Sequence, residues 1–457
     1  MSLRLLLLLG AGLLASAFSA VEDRPATWLD AYREPAARLM GTAMLDDVAW
    51  QRLATLTDVA GHRLSGSHGL ERAVKWALAE MKRDGLENVH AERVSVPVWT
   101  RGRESAELIL PHPHQLSMLG LGDSVGTPSG GIQAEVVVVR SFEELEAAGS
   151  RVRGRIVLFN APFTTYDRTR PFRADGPSRA ARAGAVAALV RSVGPAGLRL
   201  PHTGALEYAA EAPRIPAAAL AAEDADQLQR MADRGERLVV RLAMESRRKP
   251  NAASANVVAE LRGREQPEEV VVIGGHLDSW DVGTGASDDG GGCIAAWEAL
   301  RLMKRLGLRP RRTVRVVLWT NEENGGRGGQ AYRDAHAAEL RDHVMMLEAD
   351  TGLFRPVAFG ITGNPRAQDT VRAIASLLKG IEADAVVPYG GGSDIEPSVT
   401  ATGMPSMSYD GSGDYFLLHH TAADTVDKIP PEEVSRAVGA IAVMAYVVAD
   451  LPWRLGR

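Results

Sequence analysis

EEVVVIGGHLDSWDVGTGASDDGGGCIAAWEALRLMKRLG, residues 268–307, carries the reading of the fold. It opens with the apolar run EVVVIGG, the mark of a strand covered on both faces rather than half-exposed. It ends in GGCIAAWEALRLMKRLG, whose apolar residues recur at helical spacing. A polar, glycine-rich loop joins the two. Strand, loop and helix then repeat downstream. RTVRVVLWT (312–320) and HVMMLEAD (343–350) read as strands, GRGGQAYRDAHAAEL (326–340) and RAQDTVRAIASLLKG (366–380) as helices. ANVVAEL (255–261) is a strand upstream, and a final helix over 430–451 starts at Pro430–Pro431. Apolar strands alternating with helices predict an α/β unit, a mostly parallel sheet flanked by helices.

In such sheets, sites form outside the carboxyl ends of the strands. His276, Glu322, Glu323 and Asp350 all fall there, with Asp288 and His420 in loops nearby. An isolated His-x-Asp pair is more often structural than ligating. Beside the other groups, His276 reads as a metal ligand. Asp278, two residues on, shares its face if the segment is extended and is placed to fix the imidazole's tautomer. Two metals need a shared anionic ligand, and the two oxygens of Asp288 suit that bridging role; Asp289 reads as a helix cap. Glu322 and Glu323 are adjacent, and on an extended strand they point apart. One can bind a metal while the other faces the bound water, and the expected roles are Glu323 as ligand and Glu322 as general base. Asp350 completes one metal and His420 the other, with His419 its rival; Asp424 would orient a ligand or brace the loop. Three carboxylates and one bridging hydroxide would neutralise two divalent ions, which makes a metal-bridged hydroxide the expected nucleophile. Imidazole and carboxylate ligands suit zinc best, with manganese or cobalt as alternatives.

The rest of the chain sets the context. Its 457 residues, 45% hydrophobic and 24% charged, suit a globular protein of two or three units. A net charge of −5 without a basic run argues against a nucleic-acid partner. MSLRLLLLLGAGLLASAFSA, residues 1–20, reads as an export signal with cleavage after Ala17, Ser19 or Ala20, leaving no stable membrane span. Export would place the protein outside the cell or in a periplasm. The single cysteine, Cys293, forbids an internal disulfide and is expected to be a plain buried residue.

Residues 101–248 differ in character from what flanks them. AEVVVV (134–139), RGRIVLFN (153–160), SRAARAGAVAALVRS (178–192) and RIPAAALAAEDADQLQRM (214–231) give short strands and small-residue helices. This pattern resembles the protease-associated domain, a small β-rich module inserted in several exopeptidases. The expected division is an export segment (1–20), the N-terminal part of the catalytic domain (21–100), the insert (101–248) and the remaining catalytic domain (249–457). The insert is expected to wall the cleft and supply no metal ligand. His112, His114 and His202 within it, and His336 and His343 beyond it, are expected at the surface.

GHLDSWDVG, DDGGG, VLWTNEENGG, LEADTG and FLLHHTAADT together resemble the co-catalytic dinuclear zinc exopeptidases, which include bacterial leucyl aminopeptidases and glutamate carboxypeptidases. The resemblance implies two zinc ions per subunit, one held by His276, Asp288 and Asp350, the other by Glu323, Asp288 and His420. It further implies a cis peptide between Asp288 and Asp289, a homodimer, and hydrolysis of dipeptides or short peptides. A carboxypeptidase or dipeptidase is the leading expectation. An aminopeptidase with the same site and a non-catalytic receptor-like relative are the alternatives. Ser393, Asp394, Tyr409 and Tyr415 are candidate pocket residues, and no basic cluster for an acidic group is visible around them.

Overall fold

A computed structural model describes residues 27–412 and 414–456. The segment read as an export signal lies outside the described residues. A short 3-10 helix, Thr27–Tyr32, leads into three α-helices, Arg33–Leu45, Val48–Ala60 and His68–Arg83. The last of these starts where Ser67 Oγ accepts from the Leu70 amide at 3.2 Å, an N-cap that satisfies one of the free amides of the first turn.

The chain then enters an eight-stranded sheet. Its order is Glu87–Thr100, Arg247–Leu261, Arg312–Trp319, Gln266–His276, His343–Glu348, Ser406–Gly411, Pro356–Thr362, Val386–Val387. The four strands from Arg312–Trp319 to Ser406–Gly411 run parallel, while the Glu87 and Arg247 strands on one side and the Pro356 strand on the other pair antiparallel. The unbroken apolar runs are explained by two covered faces. On one, Val271, Ile273, Val316 and Leu347 pack under the helices Gly291–Arg305 and Pro431–Asp450. On the other, Val270, Val272, Val317, Trp319 and Met346 pack with Tyr332 and Ile395. Cys293 is fully buried in the first of these cores.

Residues 104–244 leave this sheet and build a second one, also eight-stranded, with a parallel centre from Ile132–Val139 to Ala217–Leu220. Its two faces have their own apolar clusters, Ile156, Leu158 and Leu189 on one and Val157, Phe159 and Val190 on the other. The chain returns through Arg247–Leu261, which pairs along Glu87–Thr100. At this neck Arg101 binds Asp281 at 2.6 and 3.0 Å, and Trp99 meets Trp280 edge to face. Among the described residues no helix is long and apolar enough to cross a membrane.

His343 and His202 are not surface groups. His343 is fully buried. Its Nε2 lies 2.9 Å from the Tyr332 hydroxyl, which itself accepts from Arg315, and its Nδ1 lies 3.1 Å from the Glu339 carbonyl. His336 shares this cluster. His202 is buried where the second sheet meets the His419–His420 loop. Both positions look polar in sequence; tertiary packing closes over them.

Candidate metal centre

Three strand ends and two loops converge at the carboxyl edge of the parallel strands. His276 is the last residue of its strand, and Asp350 stands two residues past the neighbouring one. Asp288 and Asp289 precede the helix Gly291–Arg305 and are joined by a cis peptide. The glycines around them are spatial requirements. A Cβ on Gly275 would stand 2.0 Å from Asp289 Oδ2, and one on Gly292 would stand 1.7 Å from the Ala349 carbonyl. Asp289 uses the resulting close approach to accept from the His276 amide at 2.9 Å and the Gly292 amide at 3.1 Å.

The structure brings all five ligand candidates together. His276 Nε2 lies 3.2 Å from Asp288 Oδ1 and 3.2 Å from Asp350 Oδ1. His420 Nε2 lies 3.2 Å from Asp288 Oδ2 and 3.0 Å from Glu323 Oε2. Asp288 thus turns one oxygen toward each imidazole. Each ring has its Nδ1 against a carbonyl, Asp278 at 3.0 Å and Thr203 at 3.3 Å. A proton on each Nδ1 leaves both Nε2 lone pairs facing carboxylate oxygens. Acceptor atoms gathered in a buried cluster call for a cation among them, and the buried Asp288 Oδ2 receives no hydrogen bond. The residues present fit a pair of metal ions. His419 stays a neighbour: its Nε2 is 3.7 Å from Asp288 Oδ2, its ring stacks on His420, and Asp288, His419 and His420 are also close enough to share a cation.

Electrostatics point the same way. Burial opposes a charge on His276, yet the Asp350 and Asp288 carboxylates raise its pKa well above the usual value; Glu323 and Asp288 do the same for His420. Burial and then the Asp288 charge push Glu323 up, and burial pushes Asp350 up. Without metal ions the cluster neutralises itself with protons, the condition that divalent cations relieve.

Two local readings are corrected. Asp278 does not hold the His276 ring with its carboxylate, whose nearer oxygen is 3.8 Å from Nδ1; its backbone carbonyl does that. The strand ends at His276, so the chain turns and the side chain swings away. The Asp278 carboxylate instead accepts from the Glu322 and Glu323 amides at 3.1 and 3.3 Å. Nor do Glu322 and Glu323 continue an extended strand. The strand stops at Trp319, and Asn321 takes a left-handed φ of 65°. Asp278 and this turn, rather than strand alternation, aim the two glutamates. Glu323 goes to the His420 side, while part-buried Glu322 lines the open cavity. Asp424 accepts from the Ser287 and Asp288 amides at 2.6 and 3.1 Å, fixing the backbone of Asp288.

The cavity, about 820 Å³, is walled by both sheets. Ser393 and Tyr415 line it, but Asp394 and Tyr409 are buried behind it. The basic groups invisible in the flanking loops come from elsewhere: Arg170, Arg173, Arg214 and Arg248 all line the wall. Arg170 pairs with Glu207 and Arg248 with Asp123; Arg214 lies over the Tyr208 ring and makes no ion pair among the described residues. Arg63 was also missed. It is fully buried and donates to the Leu277 and Gly285 carbonyls at 2.6 and 2.7 Å, bracing the loop that follows His276. A lone arginine in a loop gives no sequence signal of such a role.

Comparison with known proteins agrees with this geometry. The model of peptidase family M28 matches residues 256–445. Mouse carboxypeptidase Q is 45% identical over 410 residues, covering 90% of this chain and 87% of that protein. The crystal structure of a peptidase M28 precursor from Shewanella amazonensis SB2B superposes with a TM-score of 0.90 at 34% identity, covering 93% of this chain and 98% of the other. The zinc aminopeptidase of Bacillus subtilis shares the fold at a TM-score of 0.66 and 18% identity, over 89% of this chain and 96% of its own. Ligand-type residues at the strand ends, and identity along nearly the whole chain, place this chain in peptidase family M28, among the relatives of carboxypeptidase Q.

Proposed function

We propose that the protein is an exported dinuclear zinc exopeptidase that hydrolyses dipeptides or short peptides at the C-terminal residue. The observation that carries this reading is Asp288, with one carboxylate oxygen 3.2 Å from each of two opposed imidazoles. His276, Asp288 and Asp350 would hold one ion; Glu323, Asp288 and His420 the other. Bound divalent cations polarise a scissile carbonyl and lower the pKa of water. Glu322 takes the proton from the attacking water on its carboxylate and returns it to the departing amine, as the new C–O bond forms and the C–N bond breaks. Asp278 keeps Glu322 aimed by holding its amide. Residues 101–248, as an inserted module of the protease-associated type, close the cavity and limit substrate length.

The arginine-lined wall favours a carboxypeptidase or dipeptidase over an aminopeptidase, since a guanidinium suits a substrate's terminal carboxylate. Paired dipeptides test this in the zinc-loaded protein. Amidation of the C-terminus is expected to lower cleavage severely, and N-acetylation to be tolerated better; the reverse pattern would establish the aminopeptidase. Metal analysis showing one tight site at saturation would remove the dinuclear reading. N-terminal sequencing of the exported protein checks the signal.

A further inference from the structure

His420 takes a left-handed φ of 61°, a conformation uncommon for a residue with a side chain. What holds it there comes from the second sheet's unit. The Thr203 amide donates to the His420 carbonyl at 3.0 Å, and the Thr203 carbonyl faces His420 Nδ1 at 3.3 Å. One residue of the inserted segment thus grips both the backbone and the ring. Arg173 backs this contact. It is buried, its guanidinium donates to the Thr203 carbonyl at 3.3 Å and to the Tyr166 hydroxyl at 2.7 Å, and it packs 3.4 Å from His420 Nδ1. Thr203 is anchored in turn: its hydroxyl donates to the Gly120 carbonyl at 2.8 Å and accepts from Arg101, which also grips Asp281 in the loop after His276. A chain of contacts therefore runs from one candidate ligand loop, through the inserted segment, to the other.

We propose that Arg173 and Thr203 are positioning residues for His420, so that the His420-side cation is held tightly only when the second sheet is docked. This rests on the assignment of His420 as a ligand. The carbonyl of Thr203 has two lone pairs. One accepts from Arg173 and the other from the Nδ1 proton of His420, which fixes the tautomer and leaves Nε2 for the metal. The Arg173 Nε is buried without a hydrogen-bond partner. The burial is thus only partly compensated, as befits a group held for the contact it makes with the loop.

The test is a cobalt titration of the apo-protein, following visible absorption and counting bound metal by equilibrium dialysis. In Arg173→Met the first equivalent should bind as in the unsubstituted protein and the second about 10–100-fold more weakly, the usual cost of losing a ligand's supporting partner. Arg173→Lys keeps a charged donor and should restore part of the loss. Circular dichroism and thermal melting accompany each variant. Two equivalents of unchanged affinity in Arg173→Met would overturn the inference. So would equal weakening of both sites together with a lowered melting temperature, which marks a merely structural role. An unsubstituted protein that binds one cobalt would instead overturn the dinuclear reading, and this inference with it.

Discussion

At the scale of single residues, the adjacent glutamates are separated by what their amides touch. Both are held by Asp278, yet Glu323 Oε2 reaches His420 while Glu322 faces the cavity. Glu322→Gln should keep both metals and lower kcat by roughly 10²–10⁴, the usual worth of general acid–base help. Glu323→Gln should lose metal instead. Metal analysis beside kcat for the two variants decides the assignment; a Glu322→Gln protein with near-normal turnover would remove Glu322 as the base. The His343 cluster gives a prediction far from the site. Arg315 donates to Tyr332, the Tyr332 hydroxyl donates to His343 Nε2, and His343 Nδ1–H donates to Glu339. Every position is filled by a neutral ring, and burial lowers the His343 pKa to about 4. The unfolded chain binds this proton more readily, near pH 6.5. The contribution is therefore complete above that pH and is lost as pH falls toward 4, by about 3 kcal/mol in all. Urea midpoints at pH 7 and 4.5 should differ less in His343→Gln than in the unsubstituted protein; equal differences would refute the linkage.

At the scale of elements, the helix Gly291–Arg305 joins the site to the core. Its start carries the Asp288–Asp289 turn, and its body is buried against the sheet, beside the helix Pro431–Asp450. Gly292 lets that start touch the backbone leading to Asp350. In Gly292→Ala the new Cβ would overlap the Ala349 carbonyl at 1.7 Å. The helix start or the strand end must shift, and overpacking of this kind costs about 1–3 kcal/mol or more. Melting temperature and metal affinity should fall together. A variant that melts lower yet binds both metals normally would show that the turn adjusts without moving Asp350.

At the scale of the whole molecule, the second sheet makes the site a cleft. Arg214, Arg170 and Arg173 reach the cavity from residues 104–244, whereas the ligand candidates all come from the other sheet's unit. Arg214 is the arginine of this wall without an ion-pair partner among the described residues, apart from the positioning group Arg173. Arg214→Gln should therefore lower kcat/KM for dipeptides with a free terminal carboxylate by roughly 10- to 100-fold, the value of a hydrogen bond to a charged group. Amidated dipeptides, already poor, should be unaffected. Equal loss on both would show that Arg214 does not meet the carboxylate.

The sequence by itself determined the parallel core and which polar groups gather at its carboxyl edge. Continuous apolar runs such as EVVVIGG demand two covered faces, and the loops after such strands open at one sheet edge, so His276, Glu323 and Asp350 could be named as neighbours from spacing alone. Asp288 joins them in the sequence reading on chemistry, since two metals need a shared carboxylate. Only the tertiary structure decided how these groups are aimed. Asp278 works through its carbonyl and through amides some forty positions away, because the chain leaves the strand at His276. Arg63, Thr203 and Arg173 act from segments far along the chain, and the burial of His202 and His343 depends on elements that pack over them. Local periodicity reports which face of an element is covered. It carries no record of which distant backbone carbonyl will meet a given ring nitrogen, since that distance is set by the docking of whole sheets.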